Sequence, residues 1–368
     1  MQKAVQDAID QMVESGAETG LQVAVYQHGE LVVDATAGVA DTDTGRPVTS
    51  DTLFFAASAG KGMTATLAHI LAERGELDYD TPIAELWPEF AAHGKGKATV
   101  RDALTHRVGV PALPDFVTPE DLGDWNKMTA GIADCEPWWE PGTKSGYHAM
   151  SFGWIVGEII HRVTGKPLPQ VLEEEIAKPL GVSGELYYSV PDSVMDRVAH
   201  LVEIPPEEPP AFELPADHPI FKIAPPSVQP SVELYNSRTF LKADVPAGGT
   251  MSARAIARMY AALLGPVDGV RFVSPERLEL IRTVVDDDDV DQVMQFPTPK
   301  TLGYFNGRFD PEPASPPTEF GYGGMIGTHA DADPETGTSF ALMKTRYNSG
   351  DFSAAATLTD IVSKTLAK

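Results

Sequence analysis

The sequence predicts an α/β (α+β) fold: an antiparallel sheet flanked by helices, built from both ends of the chain, with a mostly helical region inserted between them. Three observations carry this. Residues 21–26 and 31–35 are strand-like runs separated by His28-Gly29, a pair with hairpin turn chemistry. Residues 338–345 read as a further strand, and Leu358, Ile361, Val362 and Leu366 behind it mark one face of an amphipathic helix. Residues 63–74, 151–164, 169–178 and 253–264 carry helical periodicity and are joined by long loops. The pattern divides the chain into a discontinuous α/β domain, residues 1–64 and 246–368, and a mostly helical domain, residues 65–245.

In chain order, Val5, Ile9, Met12 and Val13 recur at i, i+4, i+7 and i+8, so residues 3–14 read as an amphipathic helix that Gly16 ends. Gly75 closes the helix beginning near residue 63. Residues 203–231 hold Pro205, Pro206, Pro209, Pro210, Pro215, Pro219, Pro225, Pro226 and Pro230. Each proline removes a backbone donor, which excludes regular helix and central strand. The segment is too long for a plain connector; an interdomain linker is one reading, and we read it as a lid or wall over a pocket. Asp286-Asp287-Asp288-Asp289 lacks EF-hand spacing and reads as a solvated loop.

A chain of 368 residues with 42% hydrophobic and 22% charged residues can bury a large core, which excludes a disordered or fibrous class. No run of eighteen apolar residues marks a membrane span. The first seven residues lack the apolar core of an export signal, so the expected location is cytoplasmic. The 28 basic against 53 acidic residues give a net charge of −25, which disfavours nucleic acid and anionic membrane as partners. We read this acidity as a solubility device rather than as steering of cationic substrates. Cys135 is the single cysteine, so no internal disulfide forms. Its neighbours Asp134 and Glu136 disfavour a thiolate, which leaves it a structural role. The nine histidines do not pair at metal-ligand spacing, and neither a metal nor an organic cofactor is expected. Gly60-Lys61 is followed by Gly62-Met63, which excludes a phosphate loop. The Ser58 neighbourhood lacks the Gly-x-Ser-x-Gly of a nucleophile elbow.

What remains is Ala56-Ala57-Ser58-Ala59-Gly60-Lys61-Gly62-Met63. An apolar run leads into Ser58, a good N-cap residue, and positions 63, 67, 70 and 71 are apolar at helical spacing. Ser58 is therefore expected at a helix N-terminus with Lys61 on the same face one turn later. The helix dipole disfavours an ammonium there, and burial would lower the lysine pKa further, so a neutral amine could take the serine proton. A capping serine with a surface lysine is the plain alternative. Two further segments argue against it. Pro141-Gly142-Thr143-Lys144-Ser145-Gly146-Tyr147-His148-Ala149 sets a tyrosine in a Pro- and Gly-rich loop just before a helix. Gly321-Tyr322-Gly323-Gly324-Met325-Ile326-Gly327 gives Gly-rich backbone ahead of the 338–345 strand.

This order and spacing resemble the class C β-lactamase and family VIII carboxylesterase group within the serine β-lactamase-like, penicillin-binding superfamily. The stretches 103–110, 152–157 and 246–250 support the resemblance, which covers most of the chain. It implies a β-lactamase/transpeptidase-like fold and an acyl-enzyme route. Ser58 attacks a carbonyl, Lys61 and Tyr147 share the proton work, and the backbone N–H groups of Ser58 and Met325 form the oxyanion hole. Tyr322, Gly323 and Gly324 then line the substrate edge, where residues without side chains let substrate lie against the strand. Two positions depart from the lactamase pattern. Its tyrosine motif ends in asparagine, here Ala149, and its third motif begins with lysine, here Tyr322. The asparagine would bond a substrate amide and the lysine would help hold a carboxylate, so their loss favours esters over lactams and D-alanyl peptides. Lys344-Thr345-Arg346 superficially matches a Lys-Thr-Gly element, but arginine stands where glycine is needed.

His148, Trp138 and Trp139 are candidate pocket residues; Trp154 could wall an acyl pocket with them, although core packing is the default for aromatics, and His106 reads as a structural hydrogen-bonder. Arg346 is a remote candidate for holding a carboxylate. The function read from the sequence is hydrolysis of a small-molecule carboxylic ester through a Ser58 acyl-enzyme. Its rivals are acyl transfer to an alcohol or amine, β-lactamase or D-alanyl peptidase activity, and, from another class, a non-catalytic binding protein on the same fold. The sequence does not specify the oligomeric state.

Overall fold

The structure, a computed structural model, describes residues 1–204, 214–285, 290–307 and 317–367. The N-terminal hairpin forms as its turn chemistry predicts. β1 (Gly20–Gln27) and β2 (Glu30–Asp41) run antiparallel. His28 and Gly29 between them both take positive φ, 49° and 85°, the backbone of a turn whose twist matches the strands. β2 pairs outward with β3 (Arg46–Pro47), while β1 pairs with β11 (Thr338–Lys344). β11 pairs in turn with β10 (His329–Asp333), β10 with β9 (Phe320–Gly323), and β9 with β8 (Phe305–Asn306). The result is a seven-stranded antiparallel sheet whose two central partners, β1 and β11, come from opposite ends of the sequence.

Helices α1 (Gln2–Glu14) and α5 (Ser353–Leu366) cover one face of the sheet. Val5, Ile9, Leu358 and Val362 pack there on Val23, Val33 and Leu342. The opposite face carries α4 (Ala253–Leu264), which lies across β1, β10 and β11. Beyond it are α2 (Lys61–Glu73) and α3 (Ser151–Thr164), packed on each other. α2 is buried on every side from Lys61 to Ala72, as a helix central to the molecule must be. Because α2 spans residues 64 and 65, the expected domain boundary falls inside a helix, and one apolar core runs from the sheet into the helical region.

A second, small sheet matters for the site. β4 (Phe54–Phe55) pairs with β7 (Thr250–Met251), which pairs with β5 (Leu186–Tyr187). It fastens the 246–250 segment to the chain just ahead of Ser58. A parallel pair, β6 (Val202–Glu203) and β12 (Arg346–Tyr347), closes the far side.

Of the proline-rich segment, Pro205, Pro206, Pro209 and Pro210 lie outside the described residues, as does Asp286–Asp289. Residues 214–231 form only short 3₁₀ turns and lie on the 113–117 loop. There Leu113 N donates to Ile223 O (2.8 Å) and Ser227 Oγ to Val117 O (2.6 Å). This part is fastened to that loop and is not a free linker. Cys135 forms no disulfide and is half-buried, and burial pushes its thiol above the usual range. No helix among the described residues is long and apolar enough to cross a membrane.

Candidate active site

Ser58 sits in the tight turn Ala57–Gly60, which runs straight into α2. Ala56 N donates to Gly249 O (2.8 Å), so the turn is pinned where β4 meets β7. Ala57 takes φ 46°, a left-handed conformation that a residue with a side chain adopts only when its surroundings impose it. Ser58 does not cap the helix as its position predicts: neither the turn nor α2 has a side-chain cap. Its hydroxyl is committed elsewhere. Lys61 Nζ lies 2.8 Å from Ser58 Oγ and donates to Ala247 O at 2.9 Å. Lys61 is 0% exposed and has no carboxylate partner among the described residues. Burial therefore holds its pKa well below the ordinary 10.5.

Tyr147 completes the cluster. Its hydroxyl donates to Ser58 Oγ at 2.7 Å, and the Lys61 ammonium position lies 5.3 Å from its ring centroid. The loop carrying it is fixed by backbone bonds from Gly142 N to Arg107 O and from Gly146 N to His106 O. The ring is held between His106 (centroids 5.4 Å apart) and Phe305 (5.1 Å). Burial is the main influence on the phenol and raises its pKa; the bond to Ser58 works the other way. The hydroxyl thus stays protonated.

The turn after β9 closes the site from the sheet side. Thr328 Oγ1 donates to Ala56 O at 2.7 Å, tying this turn to the Ser58 turn. The Met325 carbonyl accepts from Gly350 N (2.8 Å), and no acceptor for its N–H occurs among the described residues. β8 pairs only with Phe320 and Gly321, which leaves the later part of β9 unpaired on that edge. The close packing explains Gly324 differently from the expectation of a substrate edge. A Cβ there would fall inside contact distance of Thr328 Oγ1 and the Ala56 carbonyl. Gly324→Ala is expected to destabilise by about 1–3 kcal/mol through overpacking. Thermal melting of the variant checks this.

Three sequence-based assignments need correction. Tyr322 does not line a substrate edge: it is buried, and His106 Nε2 bonds its hydroxyl at 3.1 Å. Phe320 and Tyr322 share the inward face of β9, so this strand presents only backbone beside Ser58. His148 is buried, its Nε2 accepting from Val110 N (3.0 Å) and its Nδ1 donating to Gly146 O (2.6 Å); burial pushes its pKa down to about 4. Trp139 packs against Gly146 and donates to Arg107 O (3.2 Å), a structural post rather than a pocket wall. Trp138 is 43% exposed beside it. His106 is structural, as read: its Nδ1 accepts from His148 N (3.2 Å), which assigns the proton to Nε2. Arg346 is tied to Gly16 O and Ala17 O, so it is not a carboxylate clamp. Sequence reasoning passes over the Ala247 carbonyl and a buried pair, Asp291 and Lys300, whose carboxylate accepts the Tyr147 backbone N–H at 3.0 Å. No group of three or more His, Cys, Asp or Glu placed to hold a metal occurs among the described residues.

Comparison with known proteins agrees with this architecture. The family model described as Beta-lactamase matches residues 5–364. The esterase/beta-lactamase LipL of Mycobacterium tuberculosis is 35% identical over 351 residues, covering 89% of this chain and 77% of LipL. The crystal structure of a family VIII carboxylesterase superposes with a TM-score of 0.87 at 31% identity, over 97% of this chain and 95% of that one. A penicillin-binding protein homologue from Caulobacter crescentus superposes with a TM-score of 0.82 at 31% identity, over 94% and 91%. The fold is the β-lactamase/transpeptidase-like one, and the chain belongs to the beta-lactamase family.

Proposed function

We propose that this protein is a serine carboxylesterase working through a Ser58 acyl-enzyme. The observation that carries the reading is the triangle of Ser58 Oγ, Lys61 Nζ and Tyr147 Oη, closed at 2.8 and 2.7 Å around a lysine with no counter-ion among the described residues. A neutral Lys61 has a lone pair free for the serine proton while one of its N–H bonds holds Ala247 O. Ser58 Oγ then bonds to the ester carbonyl carbon, and the oxyanion faces the N–H groups of Ser58 and Met325. When the carbon–alkoxy bond breaks, the proton taken by Lys61 reaches the departing alkoxide through Tyr147. Water repeats the sequence in reverse and frees Ser58. General acid–base help of this kind is worth roughly 10²–10⁴ in rate.

Esters are preferred to lactams because no amide side chain follows Tyr147 at Ala149 and no cation stands at Tyr322. The relative LipL is named for both activities, which makes β-lactam hydrolysis the second reading. The direct test compares p-nitrophenyl acetate and butyrate with a chromogenic cephalosporin. Ester kcat/KM is expected to exceed that for the cephalosporin by about 10² or more, the weight of two lost polar contacts at about 1.4 kcal/mol each. Faster cephalosporin turnover would make the protein a lactamase. Transfer products on adding alcohols would point to acyl transfer.

A further inference from the structure

We propose that Asp291, held by Lys300, is the positioning residue for the catalytic phenol of Tyr147; the proposal rests on the proposed catalytic role of Tyr147. Asp291 is 0% exposed, and donors meet both its carboxylate oxygens. Oδ1 accepts the N–H groups of Tyr147 (3.0 Å), Val293 (2.8 Å) and Met294 (2.8 Å). Oδ2 accepts Lys300 Nζ (2.8 Å) and Thr298 Oγ1 (3.0 Å). Burial raises the carboxyl pKa, but Lys300 and these N–H groups outweigh it and keep Asp291 ionised. The Tyr147 bond is the one that leaves the segment, joining residues 144 apart in sequence.

A parallel bond runs from Gln292 N to Ser145 O (2.9 Å), so two adjacent residues of one segment grip two sides of the tyrosine loop. The segment is itself anchored to the helix that carries Lys61. Tyr304 Oη bonds Thr66 Oγ1 (2.8 Å), His69 Nε2 bonds Leu302 O (2.9 Å), and Phe305 packs on the Tyr147 ring. Lys61 and Tyr147 approach Ser58 from different parts of the chain. Asp291 ties the second to the frame of the first, which fixes the 2.7 Å contact between phenol and nucleophile. A held carboxylate suits this task because ionic hydrogen bonds are about twice as strong as neutral ones. It touches no substrate and no reacting atom.

The test uses two charge-free pairs, Asp291→Asn/Lys300→Met and Asp291→Ala/Lys300→Met, made in the wild type and in Tyr147→Phe. Among the described residues neither pair leaves a lone buried charge, and only the first keeps an acceptor for the Tyr147 N–H. Hydrolysis of p-nitrophenyl butyrate is measured per folded protein, using near-ultraviolet circular dichroism to count it. In the wild-type background the alanine pair is expected to lose on the order of 10² in kcat with KM within about twofold, and the asparagine pair to recover at least about tenfold of it. In the Tyr147→Phe background the two pairs are expected to turn over alike. Equal rates for the two pairs with Tyr147 present overturn the proposal, as does a difference that persists without it. If the alanine pair does not fold, the asparagine pair against its parent replaces it: a loss of about threefold or more is expected with Tyr147 and none in Tyr147→Phe. Should Tyr147→Phe alone keep wild-type kcat, the catalytic assignment of Tyr147 fails and the positioning role falls with it; a missing coupling alone removes only Asp291.

Discussion

Lys61→Met is expected to lower ester kcat/KM by about 10³ or more while raising stability at neutral pH. The side chains have similar length and the site is fully buried, so the substitution removes the proton acceptor without opening a cavity. Its stability effect follows from linkage. Burial holds the lysine pKa in the folded protein well below 10.5, so between the folded and unfolded values the unfolded chain binds a proton that the folded chain does not. Stability therefore rises with pH up to the unfolded value, at about 1.4 kcal/mol per unit of separation between the two pKa values. Methionine is free of this cost but loses the hydrogen bond to Ala247 O, worth about 1 kcal/mol. The variant is expected to melt higher than wild type at neutral pH and lower once the pH reaches the unfolded lysine value of 10.5. Melting curves at the two pH values check the crossing. A variant less stable at both would mean that Lys61 is charged in the folded protein and is not the base.

Ser58→Ala is expected to reduce hydrolysis of p-nitrophenyl acetate and butyrate by about 10⁴ or more, leaving what the oxyanion donors and binding alone provide. The hydroxyl is small and the residue half-buried, so the melting temperature should hardly change. Intact mass of the wild type during turnover should show an acyl adduct that the variant lacks. Equal activity in both proteins would reduce Ser58 to a turn residue and rule out the acyl-enzyme mechanism.

How far the sequence reveals this site depends on how local each piece is. Ser58 and Lys61 are three residues apart on one helical turn, so their meeting follows from helix geometry, and the Gly-rich loop around Tyr147 is conspicuous by composition. The α/β frame is equally legible, because both strand runs and the flanking helices carry clean periodicities. Side-chain direction is not. Period-two alternation places Phe320 and Tyr322 on one face of β9 but does not say which face is inward. Trp139 and His148 look like pocket residues until the 106–110 loop is seen to bury them. Asp291 carries no local signal: it follows a run of aspartates that reads as solvated, and its partner lies 144 residues away. Gly324 stands out in the sequence as a substrate edge, a reason that the packing of Ala56 and Thr328 replaces.

The pairing of β1 with β11 has a consequence for how the protein comes into being. Leu21 neighbours Lys344, so the central ladder cannot zip until the chain as far as β11 has left the ribosome. Until then β1 and its hairpin present an open edge with unpaired backbone groups, a template for association with other chains. Closing such a long loop costs entropy before any contact rewards it, and folding should be correspondingly slow. Losing β11 by premature termination would leave an exposed β1 edge rather than a smaller folded protein.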